Sequence, residues 1–61
     1  MTKMKILNKI DAYQFAIRTN NQEWINSILS FLESENCHTI VRHLQNNQFD
    51  EAKQEALAMF K

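Results

Sequence analysis

The chain has 61 residues, of which 44% are apolar and 23% are charged, with seven basic and seven acidic side chains. A chain of this length forms one small domain, here residues 1–61, and its balanced charge points to no particular class of partner. Glycine and proline are both absent, so the residues that most reliably interrupt helices are missing. We therefore predict an all-α protein, a small bundle of three or four short helices.

The first predicted helix has one apolar stripe, because Ile6, Ile10, Tyr13 and Ile17 recur at i, i+4, i+7 and i+11. Phe15 lies about 2.5 helical turns from Ile6, which places it on nearly the opposite side of the same helix. Phe15 therefore needs a second partner surface.

Basic side chains are concentrated in this first segment. Residues 1–20 hold four basic side chains and one acidic one, whereas residues 21–36 hold three acidic side chains and no basic ones. This opposition favours antiparallel packing of the two segments, or of two subunits. A helix N-terminus disfavours cations, and the first helix begins with Lys3, Lys5 and Lys9. We therefore predict that the start of this helix frays or meets an acidic partner.

The second predicted helix begins after Thr19, with Asn20 as its cap and Glu23 three residues later in the spacing of a capping box. Its apolar stripe is wide, since Trp24 and Phe31 extend the narrower row formed by Ile25, Ile28, Leu29 and Leu32. Asn36 is the candidate for the left-handed residue that turns the chain at the end of this helix.

The second half of the chain predicts two further helices. The third has a stripe formed by Cys37, Ile40, Val41 and Leu44. Asn47 is the predicted cap of a fourth helix that runs from about residue 48 to the end, with Leu57 outside its apolar stripe. The buried side of the fourth helix is predicted to consist of Phe49, Ala52, Ala56, Met59 and Phe60.

Both halves thus predict a helical hairpin with an Asn-Asn-Gln turn, at residues 20–22 and 46–48. Residues 44–60 resemble the turn and second helix of one tetratricopeptide repeat. The glycine and the characteristic first-helix residues of that repeat are absent, and a solenoid needs about three repeats of roughly 34 residues. No family is assigned from this resemblance.

No catalytic, metal or cofactor site is predicted, and the protein is not expected to be an enzyme. Cys37 and His38 are neighbours, but consecutive helical side chains point about 100° apart and Cys37 falls on the apolar stripe. His38 and His43 do not share a helical face, so they are not predicted to bind a metal. Glycine-rich phosphate loops are excluded by composition.

A helix-turn-helix-like DNA-binding regulator is one alternative, because a helical hairpin can place one helix in a major groove. The second predicted helix has no lysine or arginine, so we do not expect nucleic acid as the partner. A structural assembly subunit is a second alternative.

The chain has more large apolar side chains than a miniature bundle can easily enclose. We therefore predict a small regulatory or inhibitory protein that binds another protein, of unknown identity, through an apolar and aromatic helical surface. The predicted partner-binding residues are Phe15, Trp24, Phe31, Leu57, Lys5 and Lys9. In the competing interpretation, Trp24 and Phe31 close the core.

Self-association as a homodimer is also predicted, because doubling a short chain improves its ratio of buried to exposed surface. No apolar run approaches the roughly 18 residues that span a bilayer, and the first residues lack the apolar region of a signal peptide. The predicted location is therefore the cytoplasm, without a membrane partner.

Overall fold

The computed structural model describes residues 2–59, which form four α-helices and no β-strand. α1 spans Thr2–Arg18, α2 spans Gln22–Ser34, α3 spans His38–Gln45 and α4 spans Phe49–Met59. The prediction of a small all-α bundle is therefore confirmed. Among the described helices, none is both long enough and apolar enough to cross a membrane.

The four helices pack as a closed ring. α1 packs against α2 and α4, and α3 packs against the same two helices. α1 with α2 and α3 with α4 are the two hairpins that the sequence predicts. The ring closes between the first and last helices, where the Tyr13 and Phe49 rings lie 6.2 Å apart and Lys53 Nζ lies 3.0 Å from Asp11 Oδ1.

The same backbone motif ends each of the first three helices. An asparagine in the left-handed region follows the helix, with φ of 57°, 61° and 60° at Asn20, Asn36 and Asn47. The next backbone N–H donates to the carbonyl oxygen five residues earlier, at 2.8–3.0 Å in all three cases. This hydrogen bond identifies the Schellman motif, in which asparagine replaces the usual glycine.

The structure confirms the predicted left-handed conformation of Asn36 and corrects the other two asparagine predictions. Asn20 does not cap α2; the N-cap is Asn21, whose Oδ1 accepts the Trp24 N–H at 3.1 Å. Asn47 does not cap α4, because it is the left-handed residue after α3, and the Gln48 carbonyl accepts the first N–H bond of α4. The left-handed residue is thus the first asparagine of the segment at 20–22 but the second asparagine of the segment at 46–48.

The core is built mainly from aliphatic side chains of all four helices, and it contains no buried polar residue within the described part of the chain. It includes every predicted member of the third stripe, with Cys37 just before α3. Tyr13 is its one aromatic ring, and burial raises the pKa of the Tyr13 phenol. The buried residues are Ile6, Ile10, Tyr13, Ala16, Ile25, Ile28, Leu32, Cys37, Ile40, Val41, Leu44, Ala52 and Ala56.

Two predicted core residues lie outside this core. Ile17 is 41% exposed because it lies in the last turn of α1, and Ala16 is buried instead. Met59 is 46% exposed in the last turn of α4, where Ala52 and Ala56 supply the buried surface. Leu29 and Phe49 are partly buried against the core, and the prediction for Phe60 lies outside the described residues.

We expect Asn47→Gly to raise the free energy of unfolding by about 0.5–1 kcal/mol, because glycine adopts positive φ without a Cβ clash. Asn47→Ala should lower it by about 1 kcal/mol. Urea denaturation followed by far-ultraviolet circular dichroism measures both changes.

Asn46 supplies the matched control, because it occupies the same turn with φ of −100°. Asn46→Gly should lower the free energy of unfolding, since glycine there adds only unfolded-state entropy. Equal effects of glycine at the two positions would contradict the role of the left-handed asparagine.

Candidate protein-binding surface

Five of the six predicted partner-binding residues meet along one side of the α1–α2 hairpin. Trp24 and Phe31 are two helical turns apart and therefore share one side of α2, and Lys5 and Lys9 are likewise one turn apart on α1. Two contacts between α1 and α2 join these residues: Lys9 lies over the Phe31 ring, and Phe15 packs against Trp24. We call this set, Lys5, Lys9, Phe15, Trp24 and Phe31, the aromatic face.

The aromatic end of this face is a pair of rings at the turn between α1 and α2. The Phe15 and Trp24 ring centroids lie 6.1 Å apart, with the ring planes inclined by 57°. This is the tilted geometry that aromatic pairs prefer. Phe15 nevertheless remains 54% exposed and Trp24 36% exposed, so the pair covers itself only in part.

The position of Trp24 is fixed by the start of its helix. Asn21 caps α2 by accepting the backbone N–H of Trp24 itself. The cap satisfies one of the free amides of the first turn and sets where α2 begins. The capping bond therefore helps to hold the Trp24 backbone beside the last turn of α1.

The cationic end of the face surrounds Phe31. Lys9 Nζ lies 5.3 Å from the centroid of the Phe31 ring, within the range of a cation–π contact. Lys5, Asn8, Lys9 and Phe31 together line a shallow groove. Phe31 is partly buried against the core, so it both closes the core and forms the floor of this groove.

Leu57 is not brought to the aromatic face. It is exposed on α4, whose packing partners are α1 and α3 rather than α2. Sequence reasoning also missed Met4, which is 59% exposed. Met4 precedes Asn8 by one turn and Phe15 by three, a spacing that already indicates a common side of α1.

Cys37 is held as a protonated, enclosed thiol. Its side chain is only 2% exposed, and its Sγ lies 3.6 Å from the Glu35 carbonyl oxygen. Burial raises the pKa of the Cys37 thiol, and the negative charge of Glu35 raises it further. A thiolate nucleophile requires a lowered pKa and access, so this arrangement favours a structural role for Cys37.

The described residues contain no group of three or more His, Cys, Asp or Glu side chains that could hold a metal ion. The absence of catalytic activity stays a prediction. Comparison of the chain with protein-family models, curated proteins and solved structures gave no match.

We expect the free energy of unfolding to fall as the pH rises above about 9, the ordinary pKa of the Cys37 thiol. Because the folded-state pKa is higher, the unfolded chain loses its proton first, and the stability is lost as pH rises through the folded pKa. Urea denaturation between pH 7 and pH 10 measures the fall, which Cys37→Ala should reduce.

Tyr13→Phe provides the control. Burial also raises the pKa of Tyr13 from its ordinary value of 10.0, so ionisation of this phenol lowers the free energy of unfolding only above about pH 10. A thiol-specific reagent should modify Cys37 slowly in the native protein and rapidly in urea. Rapid native modification would contradict the enclosed thiol.

Proposed function

We propose that this protein is a non-enzymatic regulatory or inhibitory protein that binds another protein through the aromatic face. The observation that supports this proposal is the position of the largest apolar side chains. Phe15 and Trp24 lie outside a core that aliphatic residues already fill. They contact each other instead, and both rings remain partly exposed at the end of the α1–α2 hairpin.

This placement costs stability in the isolated chain. Burying apolar surface contributes roughly 25 cal/mol per Å², and aromatic side chains have the largest areas to bury. A short chain with a small core would gain from enclosing both rings. A binding partner that covers them recovers this free energy, which is why tryptophan is so common among the residues that dominate binding.

The proposed mechanism is occlusion. The aromatic face covers a functional surface of a larger protein, and the cationic end around Phe31 orients the complex. Neither a reaction nor a cofactor is required. We propose that the protein acts in the cytoplasm, because reducing conditions there keep a single cysteine as a free thiol.

We expect Phe15→Ala or Trp24→Ala to weaken partner binding by at least about tenfold, because each removes a large apolar ring from the aromatic end of the contact. The tagged protein and each variant are used to capture proteins from lysate of the source cells, with identification by mass spectrometry. The affinity of the captured protein is then measured by calorimetry.

Met59→Ala is the matched control, because Met59 is apolar and 46% exposed but lies on α4. It should leave the affinity unchanged. Circular dichroism must show that all three variants keep the helical fold. Full partner binding by folded Phe15→Ala and Trp24→Ala variants would refute the proposal.

A further inference from the structure

We infer that the partner segment seated on the aromatic face is an amphipathic helix that carries an apolar anchor at one end and carboxylates at the other. This inference rests on the proposed function and names the chemistry of the occupant. It depends on the charges of the face and on the distance between its two ends.

The two lysines of the cationic end form no ion pair with a carboxylate within the described residues. Between residues 2 and 59, the one ion pair joins Lys53 to Asp11. Lys5 and Lys9 have no such partner in that range. The Phe31 ring holds the Lys9 ammonium at 5.3 Å, and an ammonium with three donors can still bind a carboxylate from outside.

The acidic residues of α2 and its C-cap form no ion pair with the two lysines and leave this end with an excess of positive charge. Glu23 is next to Trp24 in the chain and Glu33 is two residues after Phe31, so neither shares their side of the helix. Glu35, the C-cap of α2, is one turn beyond Phe31 and lies on that side, but within the described residues it forms no ion pair with Lys5 or Lys9. The face therefore attracts an acidic segment.

A second copy of the chain fits this face less well. Two identical faces would place four lysines in one interface, with only Glu35 of each copy to offset them. Like charges brought together in an interface oppose association. The notch beside Phe15 is lined by Arg18 as well as Asp11, so the aromatic end does not supply the missing negative charge.

The distance between the two ends of the aromatic face sets the spacing between the apolar anchor and the carboxylates of the bound helix. Phe15 follows Lys9 by six residues and Lys5 by ten, which corresponds to about 9 and 15 Å along α1. A helix lying along the aromatic face with a large apolar side chain on the Phe15–Trp24 pair would therefore meet the lysines about seven and eleven residues away, the spacings nearest these distances that return to the same side of a helix.

The test is a selection on the full-length protein, at low salt, of displayed helical peptides that are randomised along one side. Peptides that also bind the folded Trp24→Ala variant are removed. Trp24 is the single tryptophan, so its fluorescence reports binding at the face directly. We expect selected peptides that shift this fluorescence to have acidic residues about seven and eleven positions from a large apolar residue.

Charge reversal provides the second measurement. Lys9→Glu should weaken the selected peptides by at least about tenfold. Lys3→Glu is the matched control, because Lys3 is exposed on the same helix but does not line the groove. With the affinities of both variants measured at physiological salt, where the screening length is about 8 Å, its effect should stay within about twofold.

Peptides that bind at Trp24 without enriched acidic residues, or that bind Lys9→Glu at full strength, would overturn the inference and leave the proposed function standing. Selection of no Trp24-dependent peptide would also overturn it. If in addition no protein is captured from lysate through Phe15 and Trp24, the proposed function itself fails.

The same Trp24 fluorescence measurement would also detect two other occupants of the aromatic face. A Trp24 fluorescence change that depends on protein concentration alone, and that Phe15→Ala abolishes, would assign the face to a second copy. A change produced by short duplex DNA and abolished by Lys9→Glu would assign it to nucleic acid. Either result overturns the inference.

Discussion

The bundle depends on three chain reversals made without glycine. After α1, α2 and α3 the backbone enters the left-handed region at an asparagine, and the next N–H returns to a carbonyl of the helix just completed. Asparagine tolerates this conformation better than other residues that carry a Cβ. Because each link is only a few residues long, each reversal fixes which side of the next helix faces the core.

Tight reversals and small buried residues explain where the rings lie. α4 buries two alanines, Ala52 and Ala56, which permit close approach of neighbouring helices. The described bundle is compact, with extents of 33 × 20 × 17 Å. Of its aromatic rings, Tyr13 alone is buried, and the others lie on helix–helix boundaries. The partly covered rings on the α1–α2 side therefore follow from the packing that makes the rest of the chain stable.

The helices and most of the core follow from the sequence, because apolar periodicity is strong in α2 and α3 and no glycine or proline interrupts it. The ends of the helices do not. In the pair Asn20 and Asn21, either residue suits a cap or a left-handed position, and only the point where α1 stops decides between them. Ile17 has the correct spacing for burial, but nothing in its spacing shows that neighbouring helices end before they cover it. The contact between Phe15 and Trp24 depends on how α1 and α2 are aligned, which requires the turn geometry.

The contact between α1 and α4 has a consequence for the order of folding. It joins the first helix to the last, so its loop-closure entropy is the largest of any contact in the ring. It includes one tilted ring pair and an ion pair whose side chains are 42% and 63% exposed, and such exposed ion pairs contribute little. The two hairpins are local and form early. We expect the contact between α1 and α4 to form last and to separate first, which leaves a transient species whose α1–α2 hairpin, with its paired rings, is still assembled.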